Sequence, residues 1–288
     1  MSQRHSTLTD LLSVLRLRLG SVVDALATLQ HTPIESEVLH DARVACRRAE
    51  AALRIGRDLL PDRQVAWLRT HLRRLRRACN SARDIDVLRE WLAAQRRSPV
   101  VRKLRKKLKH KRRVDQSQIV ELTKSLIRKR RFATHANRAI QTDHDRSHAE
   151  SWHSFVARRL LDEFTNLLGA LPTDADHPGQ LHRLRIAGKR LRYACEFVSE
   201  VVPAAQFDSL QELLKQMQDR LGQLHDTVVR LECLRHQAKH ATGKKLRRDS
   251  ADERDRLTEE WRDWWSSTSP DAAIGSAAAK MPKLILRP

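Results

Sequence analysis

The sequence predicts an all-α protein, and three observations carry that prediction. Leu, Ala and Arg, all good helix formers, dominate the 288 residues, whereas glycine occurs 8 times and aromatic residues make up 4%. Apolar residues recur every three to four positions along almost the whole chain. A segment of the first half also returns in the second at an offset of 142, without a gap. Residues 39–61 read LHDARVACRRAEAALRIGRDLLP, and residues 181–203 read LHRLRIAGKRLRYACEFVSEVVP.

Taken in order, the periodicity places helices over 7–30, 34–60, 62–78, 81–97, 100–112 and 116–132, with Pro and Gly as punctuation. Residues 134–150, THANRAIQTDHDRSHAE, lack a sustained apolar face and read as a linker. Helices resume over 151–171, 178–202, 204–219, 222–240 and 249–266. The segment 267–288 carries SPDAAIGSAAAKMP and reads as a loose tail. The offset of 142 also carries Asp84 onto Asp226, and the helix near Thr9 onto the helix near Ser151. The expectation is therefore two four-helix units, residues 5–133 and 151–266, packed with approximate twofold symmetry. A basic helical insert and the linker join them.

The repeated helix has two stripes. Leu39, Ala42, Cys46, Ala49, Leu53, Gly56 and Leu60 step by three and four, matched by Leu181, Leu184, Gly188, Leu191, Cys195, Val198 and Val202. Such a seam, rich in small residues, lets neighbouring helices approach closely. One position on lies a row of bases: His40, Arg43, Arg47, Arg54 and Arg57, matched by His182, Arg185, Lys189 and Arg192. The spacing puts each row on one face, beside the seam, where the cations are half-sheltered and repel one another. Like charges so spaced cost a few tenths of a kcal/mol per pair in water and more when desolvated. With 56 Lys and Arg against 35 Asp and Glu, a formal charge of +21, acids are too few to pair them all. A polyanion would relieve the repulsion.

At these residues the chain resembles the CHAD domain, the conserved histidine α-helical domain. The resemblance rests on His-x-x-Arg-(Val/Ile)-Ala at His40–Ala45 and His182–Ala187, and on the basic pairs Arg47-Arg48 and Lys189-Arg190. Leu191-Arg192-Tyr193 extends it, and Ala82-Arg83-Asp84-Ile85-Asp86-Val87 and Leu221-Gly222-Gln223-Leu224-His225-Asp226 close the two units. It covers residues 5–266. The chain departs from the family at Glu50, where Arg is common, at Cys79-Asn80, in place of Leu-Gly, and at His225, in place of Asn. The resemblance implies two four-helix bundles about a pseudo-twofold axis with a basic groove or pore between them. It also implies binding of inorganic polyphosphate and association with polyphosphate granules.

The residues expected to hold polyphosphate are His40, Arg43, Arg47, Arg48, Arg54 and Arg83 from the first unit. From the second they are His182, Arg185, Lys189, Arg190, Arg192 and Lys215. Arginine's planar fork gives two parallel charge-assisted bonds to phosphate oxygens, lysine a point charge, and histidine a ring N–H donor. Tyr193, the only tyrosine, reads as a packing residue whose hydroxyl is able to reach the groove. The densest basic run, residues 96–113, is basic on several faces and reads as an insert that extends the polyanion footprint or touches nucleic acid. Trp261, Trp264 and Trp265 have helical spacing and read as core of the second unit.

Several classes are excluded or ranked lower. No run of ~18 apolar residues offers a membrane span, and the start, MSQRHSTLTD, lacks the apolar core of a secretory signal. Cys46, Cys79, Cys195 and Cys233 have no CxxC spacing and read as buried thiols of a cytoplasmic protein. His40-Asp41 and His225-Asp226 are the HD dipeptides of metal-dependent phosphohydrolases, but they fall at different registers of the two copies with few acids around them. No P-loop, GxSxG or HExxH is present, and no cofactor or resident metal is implied. His135, His144, His148 and His153 read as linker histidines able to take a metal adventitiously. Nucleic-acid binding is the main alternative: the charge supports it through counterion release, but the basic stripes lack stacking aromatics.

Overall fold

The computed structural model describes residues 8–141, 152–174, 177–200, 207–235 and 241–285. Among them are ten α-helices and no strand. The first half holds α1 (Leu8–Thr28), α2 (Ser36–Ile55), α3 (Asp62–Ala93), α4 (Pro99–Ile127) and α5 (Arg131–Ile140). The second holds α6 (Trp152–Leu168), α7 (Pro178–Val198), α8 (Asp208–Cys233), α9 (Ala241–Thr268) and α10 (Pro270–Ile285). The offset seen in one helix runs through the chain: α2 and α7 start at Ser36 and Pro178, and α4 and α9 at Pro99 and Ala241, both 142 apart.

Three expected breaks are absent. The segments expected at 62–78 and 81–97 form one helix, α3, because Leu75, Cys79 and Ala82 continue its buried stripe through Asn80-Ser81. Those at 100–112 and 116–132 merge into α4, whose Arg112 and Asp115 are buried at 7% and 8% exposure. Ser81 Oγ donates to Asp115 Oδ2 at 2.6 Å, so the polar break holds α3 to α4. In the second half, α8 passes through Leu221-Gly222 without interruption.

Four readings are corrected. The helix expected to run to 132 stops at Ile127, and Lys129 and Arg130, with φ of 53° and 52°, turn the chain into α5. Residues 134–140, read as linker, are helical: Phe132, Ala136, Ala139 and Ile140 bury one face against α1 and α3. The segment after 266, read as a loose tail, forms α10, which packs on α6 and fully buries Ile274. Ser98 Oγ caps α4 by accepting from Val101 N at 3.2 Å, with Pro99 preset for the first turn. The basic run is thus the first half of α4, a counterpart of α9 rather than an insert. Its Val100, Val101, Leu104 and Leu108 join Leu234 and Leu246 in a small second core. Residues 142–151 and Val202 lie outside the described residues.

The small-residue seam does what its composition requires. Leu39, Ala42, Cys46, Ala49 and Leu53 are all fully buried, and α2 packs directly on α7. A methyl group at Gly188 would stand 2.3 Å from Met217 Cε, so glycine leaves room for the end of the Met217 side chain where α7 packs on α8. One large core runs through both halves and includes Trp261 and Trp264, in line with their helical spacing. All four cysteines are free thiols; Cys46, Cys79 and Cys195 are buried. No helix among the described residues is long and apolar enough to cross a membrane.

Candidate functional site

The contact between α2 and α7 sets the site. The two helices are in direct contact, and their basic faces flank a common hollow. Together with α3 they line a cavity of about 410 Å³. Its thirteen lining residues include eight Arg or Lys and a single carboxylate, Glu50. Of the expected residues, Arg47, Arg54, His182, Arg185, Lys189 and Arg190 line it.

The cations there fall into two groups. Arg54 and Arg190 are satisfied: Glu163 of α6, 5% exposed, accepts from Arg54 Nε at 2.8 Å and from Arg190 Nε and Nη2 at 3.1 Å each. Arg76 pairs with Glu50 at 3.2 Å. The others are strained by proximity. Burial, followed by Arg185, Arg47, Arg43 and Arg192, pushes Lys189 down to about 7. Burial and then Arg47 lower Arg185, whose buried Nε has no hydrogen-bond partner. A buried guanidinium donor without an acceptor costs about 1–3 kcal/mol, more when charged. The pocket thus holds fixed, half-desolvated donors that a bound anion would satisfy.

Beside the cavity, the ends of the repeated motif meet. Arg43 donates from Nε to Asn80 Oδ1 at 2.7 Å, and burial, then Arg47, pushes it down to about 10. Burial raises both Asp84 and Asp226; Arg43 opposes the rise at Asp84, to which Asp226 adds, and Arg230 and Arg185 oppose the rise at Asp226. His225 is pushed to about 4 by burial, then Arg185, His182 and Lys189, and its ring centroid lies 6.0 Å from that of His182.

A family model for the CHAD domain matches residues 15–235. The chain belongs to the CHAD domain family. Its fold is similar to the CHAD domain from the plant Ricinus communis, at 19% identity and a TM-score of 0.59, covering 97% of this chain and 94% of that one. It is also similar to PptA from Streptomyces chartreusis, at 18% identity and a TM-score of 0.62, covering 90% of this chain and 97% of that one. No curated protein matches the sequence.

Not every residue expected of a CHAD domain joins the cavity. His40 is exposed on α2 and does not line it, so the two motif histidines are not equivalent. Arg48 is tied to Glu196 at 3.1 Å across the α2–α7 contact. Arg192 stands 5.0 Å over the ring of Tyr193 and 3.9 Å from Glu196. Arg83 donates to Ser36 Oγ at 2.8 Å and lines a different cleft. Lys215 is exposed on α8, 3.9 Å from Glu212. The sequence reading missed Arg69, Arg73 and Arg76, which reach the cavity from α3. Their spacing of four and three in RTHLRRLR, residues 69–76, was a visible signal, obscured by the equally basic neighbours Arg74 and Arg77. Tyr193, read as a packing residue within reach of the groove, is 5% exposed and borders the cavity. Among the described residues no three His, Cys, Asp or Glu side chains group as metal ligands.

Proposed function

We propose that this CHAD domain binds inorganic polyphosphate in the cavity between α2, α3 and α7, without chemical change to the chain. Polyphosphate binding is associated with the family. The observation that carries the reading for this chain is the set of unpaired, half-buried cations: Arg47, Arg185 and Lys189 face one hollow with a single lining carboxylate. Polyphosphate supplies closely spaced negative charge in a strand narrow enough to enter. Arg48, Arg54, Arg190 and Arg192 act mainly in support, through their carboxylate partners and Tyr193. A binding rather than hydrolytic role is supported by the HD dipeptides: His40 and Asp41 are both exposed, and Asp226 is surrounded by Arg230, Arg185, Arg83 and Lys189, which repel a metal cation. A cytoplasmic site of action, at polyphosphate granules, follows from the same reading.

The alternative is nucleic acid, favoured by the exposed cations of α4, including Arg102, Lys103, Arg105, Lys106, Lys107 and Lys109. Labelled long-chain polyphosphate competed with duplex DNA at about 150 mM salt separates the two. A duplex is far wider than the cavity, so DNA at equal phosphate concentration should leave polyphosphate bound. Displacement by DNA would transfer the main site to the α4 surface.

Lys189 gives the reading a pH signature. In the free protein it is pushed down to about 7, and a bound anion favours its charged form and raises that value. Affinity should therefore be greatest below pH 7 and fall as pH rises from 7 toward 9, because binding must then take up a proton. Lys189→Arg keeps the charge and should flatten this fall. Equal pH profiles for the two proteins would remove Lys189 from the site.

A further inference from the structure

The duplication lets a cleft in one half be compared with its counterpart in the other. In the first half, a cleft between the start of α2, α3 and α4 is lined by Arg112 and Asp86. This arginine, 7% exposed, donates to Asp86 Oδ1 at 2.9 Å and to the Ile34 carbonyl at 2.7 Å. The offset of 142 puts Arg254 in the place of Arg112 and Val228 in the place of Asp86. Valine offers no acceptor, and Arg254 turns instead to the adjacent Asp255, with Nε at 2.8 Å and Nη2 at 2.6 Å.

The counterpart cleft, about 700 Å³ between α7, α8 and α9 against about 790 Å³ in the first half, differs in its lining: Leu181, Leu221, Leu224 and Val228 give it an apolar wall opposite Arg254, Asp255, Glu259 and Arg262 of α9. Val228 is 46% exposed within it. The cleft and the central cavity share His182 and Arg185. Arg185 is the residue whose buried Nε lacks an acceptor. An apolar wall ending at an unsatisfied guanidinium is poor complement to a bare polyphosphate, which has no apolar part. It suits an anion that carries a flat apolar body. Burial and the neighbouring cations keep His225 uncharged at neutral pH, so its ring adds a flat neutral face beside His182. Thr258 and Glu259 on the α9 side supply hydrogen-bonding groups for a polar ring edge.

We propose that this cleft binds a nucleoside triphosphate, with its base on Leu221, Leu224 and Val228 and its phosphates reaching Arg185. The proposal rests on the polyphosphate reading in one respect, the shared Arg185, and it makes the nucleotide a competitor for one end of the polyphosphate path. Charge alone predicts the opposite preference, since tripolyphosphate is more highly charged than ATP at the same phosphate count. The ranking of these two ligands is therefore diagnostic.

The test is calorimetric titration of the full chain and of Val228→Asn with ATP, tripolyphosphate and long-chain polyphosphate at fixed salt. Val228 is solvent-exposed, and helical circular dichroism checks that the variant folds. The wild type should bind ATP at least tenfold more tightly than tripolyphosphate. Val228→Asn should weaken ATP about fivefold and leave the other two ligands within twofold. ATP no tighter than tripolyphosphate, or an equal loss for both in the variant, overturns the nucleotide site alone when long-chain polyphosphate still binds. Failure of the wild type to bind any of the three overturns the polyphosphate reading with it.

Discussion

Replacing Arg47 and Arg185 together with alanine should weaken polyphosphate binding by more than tenfold while the helical circular dichroism stays intact. Both residues line the central cavity, one from α2 and one from α7, and Arg185 has a buried donor without an acceptor. A hydrogen bond to a charged group contributes about 1.5–3 kcal/mol, and tenfold in affinity is about 1.4 kcal/mol. Loss of two such contacts therefore exceeds the tenfold threshold even if half of the interaction is replaced by water. The free protein should not lose stability. Arg47 and Arg185 each depress Lys189, and Arg47 depresses Arg185, so truncation relieves repulsion that offsets the lost attraction of Arg185 for Asp84 and Asp226. The same truncation should raise the pKa of Lys189, which moves the pH-dependent fall in affinity to higher pH. Lys215→Ala serves as the comparison. Lys215 is 60% exposed and 3.9 Å from Glu212, so its removal should change the dissociation constant less than twofold. An unchanged constant for the Arg47/Arg185 double variant would exclude the cavity and direct attention to the exposed cations of α4.

Much of this arrangement was legible because two signals were local. The seam and the basic row lie on one helix in each half, and both are written at spacings of three and four. Burial of Ala42, Cys46 and Ala49 follows from that pattern alone. What escaped was non-local or diluted. The apolar face of α5 has the required spacing at Phe132, Ala136, Ala139 and Ile140, but the polar residues after 140 hid it. In α10, Ile274 is the one large side chain fully buried among the described side chains, too little periodic signal to distinguish a helix from a tail. The basic run 96–113 drew notice for its charge, although Val100, Val101, Leu104 and Leu108 give it a core face like any other helix. Pairing was not legible at all. Sequence places Arg54 in the same basic row as Arg47 and Arg190 in a basic pair with Lys189, and only the position of Glu163 on α6 separates the paired cations from the strained ones.

That separation yields an expectation opposite to the first. Glu163→Ala should destabilise the protein by about 3–5 kcal/mol, the usual range for removing one partner of a buried ion pair. At roughly 2–4 °C per kcal/mol for a chain of this size, the thermal midpoint should fall on the order of 10 °C. Glu163 is 5% exposed and is the shared acceptor for Arg54 of α2 and Arg190 of α7, so one carboxylate ties α6 to both halves of the α2–α7 contact. Its loss leaves two guanidinium groups uncompensated at the wall of the central cavity. Polyphosphate can then act as their partner. Ligand that binds only the folded state stabilises it in proportion to the logarithm of its concentration over the dissociation constant. Saturating polyphosphate should therefore raise the midpoint of Glu163→Ala by more than it raises that of the wild type. Differential scanning calorimetry with and without the ligand measures both shifts. Equal shifts would mean that Arg54 and Arg190 do not face the bound anion and serve only to hold the helices. A larger shift in the variant, beside weakened binding without destabilisation in the Arg47/Arg185 variant, would divide the basic rows by function: some cations hold α2, α6 and α7 together through carboxylates, and others are left unpaired for the ligand.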